Sequence, residues 1–384
     1  MGNQKLWMVL IFLGIVLAAL GLSVLQGSSG QPAPNPTPPP ALKPSKASEF
    51  RGISLQIHSS DPNHPYERYI SEIAETGANT LCLVVTGWQE HAGSSSIFID
   101  ARKTPADQRL VHLMRHARSK GLRVTVMPII LLENPRSGEW RGLIQPKDWN
   151  DWWNDYDQVI LHYAKLAQRG GAEVFIIGSE LIKTETADQA PRWRGLIAKV
   201  RKAFTGRLSY SANWDHYRPV SWWDDLDLIG MTTYYDLTGK NEPTLKVLMD
   251  KWRAIKTDIL VWQAQIKRPI LFTEVGWPSQ DSGAKYPWNY CHSKTPDLPL
   301  QQRCFEAFFR TWIDEPAVAG YLVWEWRNHP GQDPEPRGKY VPQTDVSYIP
   351  CGKPAMEVIR HYYQHPGPGG GGPADDANAA PAAG

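Results

Sequence analysis

From residue 49 onward, short continuous apolar runs alternate with longer stretches whose apolar residues recur every three or four positions. These are the signatures of buried strands and of helices lying on a sheet. RGISLQIH (51–58) is the first predicted strand. A helix over 66–76 follows, with Ile70, Ile73 and Ala74 on one face and Gly77 in the stop position. TLCLVVTGW (80–88) is the second strand, and its helix is expected to open with Thr104 as N-cap, Pro105 at N1 and Asp107 at N3. The third strand, LRVTVMPIILL (122–132), leads through a Trp-rich loop to a helix over 151–169, where Tyr156, Val159, Ile160 and Tyr163 share one face. EVFIIGSEL (173–181) is the fourth strand and delivers Glu180 at its C-terminal end. A helix over 191–204 is stopped by Gly206, and RLSYSANW (207–214) and DLIGMTTYY (227–235) are strands five and six. A helix carrying Leu245, Leu248, Met249 and Trp252 precedes PILFTEVGWPS (269–279), strand seven, which ends in Glu274 and turns through Gly276 and Pro278. A helix over 299–313, the strand AGYLVWEW (319–326) and a last helix over 354–364 complete the series.

Eight strands alternating with helices over some 300 residues predict an α/β protein, a (β/α)8 TIM barrel, because each parallel pairing needs a crossover and eight such units can close. An open doubly wound sheet is the alternative, but no G-x-G-x-x-G turn follows the first strand. In a barrel all C-terminal strand ends open on one face. Glu180 and Glu274 then share that face.

The two ends of the chain read differently. Residues 1–26 form an N-terminal transmembrane anchor or signal: Leu6 to Leu25 carries no charge and is long enough to span a bilayer. Lys5 precedes it and the next basic residue is Lys43, which places the remainder of the chain outside the cytoplasm. Cleavage of this segment would give a secreted protein instead. Residues 27–48 are a Pro/Ser-rich linker, 49–365 the barrel domain, and 366–384 a disordered Gly/Pro/Ala tail. Hydrophobic residues are 42% and charged ones 21%, a globular balance, and a net charge of +2 without a basic run gives no footing for nucleic acid. Cys82 lies in an apolar run and is expected as a buried thiol; one disulfide among Cys291, Cys304 and Cys351 is expected, Cys291 with Cys304 first.

Two carboxyls at matching strand ends suit glycosidic bond cleavage with retention, which needs them roughly 5–5.5 Å apart, one to donate a proton and one to attack. Structural ion pairing is the competing role for each acid taken singly. Tyr234, at the end of strand six, is placed to donate to the nucleophile's carboxylate, with Tyr235 as the register alternative. Trp324, Trp326, Trp88, Trp214 and Trp277 all sit at strand ends and together make an aromatic rim for sugar rings, Asn213 could bond a sugar hydroxyl, and His58 is a further sugar contact. His112 and His116 read as a helix surface, Asp224, Asp225 and Asp227 as a solvated turn, and Glu325 as structural.

Five motifs, in order, carry a family resemblance: GANTLCLVVTGWQE, TPADQRLVHLMRHARSKGLRVTVMP, WRGLIQPKDWNDWWNDY, VFIIGSEL and ILFTEVGWPS. Together, over about residues 51–330, they resemble glycoside hydrolase family 113. The resemblance implies a retaining barrel glycosidase with Glu180 as general acid/base and Glu274 as nucleophile, endo-β-1,4-mannanase activity, and no metal or organic cofactor. The chain departs from the expected pattern after Pro128, where Ile129 and Ile130 stand in place of polar sugar-binding groups. The partner expected is a polysaccharide or oligosaccharide, β-mannan-like first, met by a monomer held at the membrane. The alternatives are a β-glucan hydrolase or transglycosylase of the same clan and, from another class, an inactive polysaccharide-binding or assembly protein.

Overall fold

The apolar runs become strands because each can be covered on both faces, and the computed structural model, which describes residues 48–239, 243–326 and 340–366, buries nearly all of them. In chain order they are β1 (Phe50–Gln56), β2 (Thr80–Gln89), a two-residue β3 (Ile97–Phe98), β4 (Arg123–Leu132), β5 (Val174–Ser179), β6 (Arg207–Ala212), β7 (Leu228–Thr232), β8 (Ile270–Val275) and β9 (Val318–Val323). All neighbours are parallel except β3, which pairs antiparallel with the end of β2. β1 pairs with both β2 and β9, which closes eight strands into a ring. The helices α1 (Tyr66–Glu75), α2 (Asp107–Ser119), α3 (Trp149–Gly170), α4 (Ala190–Ala203), α5 (Leu245–Ile266), α6 (Leu298–Trp312) and α7 (Pro354–Gln364) follow the strands, giving a (β/α)8 TIM barrel.

Strand alternation divides the core into two layers. Cys82 and Val84 of β2 turn into the barrel with Met127, Ile176, Leu271 and Leu322, while Leu81, Leu83 and Val85 face the helices. The outer layer holds most of the tryptophans. Trp152, Trp153, Trp193 and Trp222 pack with Tyr156 and Tyr210 beneath the C-terminal end of β5. Asp148 caps α3 by accepting the Asn150 and Asp151 N–H groups, and Thr244 and Asp297 cap α5 and α6.

Several expectations change. α2 starts at Asp107 rather than in the Thr104–Pro105 turn, because Ala106 is extended and gives the helix no side-chain cap. Cys304 is buried on α6 and Cys291 is exposed, both as free thiols, so the Cys291–Cys304 disulfide does not form. Burial does keep the Cys82 thiol neutral, pushed up to about 12. Among the described residues no helix is long and apolar enough to cross a membrane. The anchor over 1–26, the linker apart from Ser48, and the tail beyond Pro366 lie outside the described residues.

Candidate active site

Both glutamates reach the C-terminal mouth through a local break in strand alternation. On β5, Ile176 faces into the barrel, yet Ile177 and Gly178 both face outward, and the register against β6 shifts between Ile176 and Ser179. On β8 the register shifts against β9 between Phe272 and Val275, and against β7 between Met231 and Thr232. Such bulges re-aim side chains. Here they place Glu180 and Glu274 in the wall of one cavity of about 650 Å³. Glu180 adopts a φ of +52°, the left-handed region unusual for a residue with a Cβ.

Arg141 organises the pair. Its Nη2 donates to Glu180 Oε2 at 2.6 Å and stands 3.7 Å from Glu274 Oε1. Thr232 Oγ1 donates to Glu180 Oε1 at 3.1 Å, and the Tyr234 hydroxyl donates to Glu274 Oε2 at 2.7 Å. Glu274 Oε1 is buried and makes no hydrogen bond. Burial raises the Glu274 carboxyl well above the usual range and the neighbouring Glu180 adds to the shift, while Arg141 and the Tyr234 hydroxyl oppose it. The hydrogen bond from Tyr234 favours the charge on Glu274.

Asn213, Trp214, Tyr234 and Trp324 line the same cavity as the glutamates. The other expected contacts lie elsewhere. Tyr235 turns its hydroxyl to the Trp214 carbonyl at 2.8 Å. Trp277 is fully buried against Phe305 and Trp252, because the Gly276–Pro278 turn directs it to the helical layer. Trp326 is buried in that outer layer too, and Trp88 lies under the Lys103 ammonium, 3.8 Å from its ring centre. His58 sits beside Gln56, whose amide donates to the half-buried Glu325; burial pushes that carboxyl up to about 7. Ile129 and Ile130 are buried in the inner and outer cores, so neither stands where a sugar would meet it. His112 contacts Glu67 at 3.2 Å, Asp224 and Asp225 pair with Arg194, and Asp227 pairs with Arg201.

Among the described residues, six that line the cavity were not singled out from the sequence: Trp140, Arg141, Asp215, Trp288, Tyr290 and Tyr348. Arg141 sits in the WRGL segment of the Trp-rich loop, on a short 3-10 turn, Arg141–Leu143. Its pairing spans 39 residues to Glu180 and has no local periodic signal.

A closed barrel whose mouth holds two adjoining carboxyls, a phenol bonded to one of them and aromatic walls has the parts that a glycoside hydrolase needs. The chain belongs to glycoside hydrolase family 113, whose model matches residues 63–353. Among solved structures it is similar to the family 113 β-mannanase AaManA from Alicyclobacillus acidocaldarius in complex with ManMIm, at 28% identity and a TM-score of 0.72, covering 83% of this chain and 98% of that one. A second family 113 β-1,4-mannanase shares the fold at 24% identity and a TM-score of 0.71, over 83% of this chain and 99% of that one. A β-glucuronidase from Faecalibacterium prausnitzii shares the barrel at 11% identity and a TM-score of 0.54, over 83% of this chain and 49% of the other. No curated protein sequence matches the chain.

Proposed function

We propose that the protein is a retaining β-glycoside hydrolase of β-mannan-like polysaccharides, with Glu274 as nucleophile and Glu180 as acid/base. The observation that carries this reading is the approach of both carboxyls to one Arg141 nitrogen, at 2.6 and 3.7 Å. Glu180 Oε2 and Glu274 Oε1 therefore stand no more than about 6.3 Å apart, which supports the closer spacing of retaining enzymes over the roughly 6.5–9.5 Å that leaves room for water in inverting ones. Glu274 Oε1 attacks the anomeric carbon as the C–O bond breaks and Glu180 gives its proton to the leaving oxygen. Water then gives a proton to Glu180 and its oxygen to the anomeric carbon, releasing Glu274.

The cleft supports a neutral polymer as substrate. Among the described residues, Glu180, Glu274 and Asp215 outnumber the single lining cation, Arg141, which disfavours acidic sugars. Trp140, Trp288 and Tyr290 are 37%, 46% and 59% exposed around the mouth, and Trp214 and Trp288 stack with centres 5.8 Å apart, offering platforms beyond one ring. AaManA, the 28% identical relative, is a β-mannanase. We place the domain as a monomer on the outer face of a membrane, held by the uncharged run from Leu6 to Leu25. Protease added to intact cells should then remove the barrel domain; full protection of it would refute the placement.

The test of the chemistry is an assay on mannan, glucan and xylan oligomers with Glu180→Ala and Glu274→Ala. Mannan hydrolysis is expected to fall by about 10⁴-fold or more in each folded variant. On a 2,4-dinitrophenyl β-mannobioside, whose leaving group departs unprotonated, azide should restore turnover, giving a β-glycosyl azide from Glu180→Ala and an α-glycosyl azide from Glu274→Ala. Undiminished hydrolysis in either variant would overturn the assignment.

A further inference from the structure

Glu185 and Tyr210 are buried, polar and unused by the double displacement. Burial pushes the Glu185 carboxyl up to about 8, aided by the Glu180 and Asp215 charges, and its Oε2 makes no hydrogen bond. Its other oxygen accepts the Tyr210 hydroxyl at 2.6 Å. Tyr210 has a single proton to give, so that bond leaves its lone pairs turned elsewhere. The Leu181 N–H donates to the same hydroxyl oxygen at 2.9 Å.

That N–H belongs to the residue directly after Glu180. Glu180 itself is tied on its other side, its N–H donating to the Ser211 carbonyl at 2.8 Å. The left-handed backbone at Glu180 is costly to a residue with a Cβ and persists only where its surroundings fix it. The following turn is fixed as well: Thr184 donates to the Leu181 carbonyl through both its N–H, at 2.8 Å, and its hydroxyl, at 2.7 Å. Trp193 Nε1 holds the Thr184 carbonyl at 3.0 Å. Tyr210 cannot drift, since it is fully buried with the Trp193 and Trp222 rings 5.0 and 6.0 Å from its own.

We infer that Tyr210, oriented by Glu185, is a positioning residue that fixes the backbone of Glu180 and so aims its carboxyl at the leaving-group oxygen. The inference rests on the reading of Glu180 as acid/base. Tyr210→Phe keeps the ring and removes the acceptor for Leu181. Glu185→Gln keeps an acceptor for the tyrosine proton, whereas Glu185→Leu does not.

Leaving-group dependence separates aim from general damage. An unactivated β-mannopentaose needs its departing oxygen protonated, and a 2,4-dinitrophenyl β-mannobioside does not. Tyr210→Phe and Glu185→Leu should lower kcat/KM on the pentaose by about 10–100-fold, the scale of a small misplacement of a reacting group. The pre-steady-state burst on the dinitrophenyl substrate should stay within about threefold of wild type, and Glu185→Gln should retain near-normal activity on both. Equal losses on the two substrates, or no loss on either, would overturn the inference. Should Tyr210→Phe fail to fold by thermal melt, Glu185→Leu carries the same comparison. Glu180→Ala is the reference. If it spares the activated substrate while Tyr210→Phe resembles wild type, this inference alone fails; if Glu180→Ala lacks that selectivity, the acid/base reading falls first.

Discussion

Glu274 has one oxygen held by Tyr234 and one making no hydrogen bond, a division suited to a nucleophile that must be both oriented and reactive. A hydrogen bond to a charged group contributes about 1.5–3 kcal/mol, so Tyr234→Phe should lower kcat/KM by about 10–100-fold. The same bond pulls the Glu274 carboxyl down against burial. In the proposed mechanism the attacking form is ionised, so losing this bond must move the acidic limb of the kcat/KM–pH profile to higher pH. A profile unmoved in the variant would mean that Tyr234 serves only to pack the wall. Tyr234 and Tyr235 show how far the sequence reaches at this scale: adjacent tyrosines at a strand end stand out, but which one turns inward depends on register. Arg141 was beyond reach, since its partners lie on strands 39 and 133 positions away and its own loop has no repeat.

The elements themselves were legible. Buried strands must be apolar throughout and helices on a sheet must carry a stripe, so composition and period gave all eight barrel strands and all the helices that follow them. The bulges were not legible, because a register shift of one residue leaves no mark in an apolar run such as VFIIGS. Nor was the fate of Trp277 or Trp326, since a tryptophan one or two residues beyond a strand can enter the mouth or the helical layer. The bulge on β5 is tied to a specific space. A Cβ on Gly178 would stand 2.3 Å from the Tyr156 hydroxyl, which itself donates to the Ile177 carbonyl at 2.8 Å. Gly178→Ala must displace that ring or the bulge, at a cost of about 1–3 kcal/mol. The expected result is a lower thermal unfolding midpoint together with reduced turnover, since the same displacement moves Glu180. An alanine variant with wild-type stability and activity would show that the strand tolerates the shift.

For the molecule as a whole, folding removes from water carboxyls outside the cavity lining as well. Glu185 rises from the usual 4.5 to about 8 and Glu325 to about 7, both through burial. Each holds its proton in the folded barrel at pH values where the unfolded chain has released it. The folded state then binds more protons than the unfolded one, so stability is fully present below about pH 4.5 for these groups and declines as pH rises toward 8. Glu49 acts in the opposite sense: Arg207 and Arg123 hold its carboxyl at about 2, so its contribution is lost as pH falls from 4.5 toward 2. The urea midpoint should accordingly peak in the mildly acidic range and drop between pH 5 and pH 8. Glu185→Gln removes the titrating group while keeping an acceptor for Tyr210, so its midpoint should fall less over that interval. The difference should amount to a few kcal/mol, at about 1.4 kcal/mol for each pH unit separating the folded and unfolded titrations. Equal slopes in the two proteins would mean that Glu185 is ionised in the fold, and that the hydroxyl of Tyr210 faces a charge rather than a neutral acid.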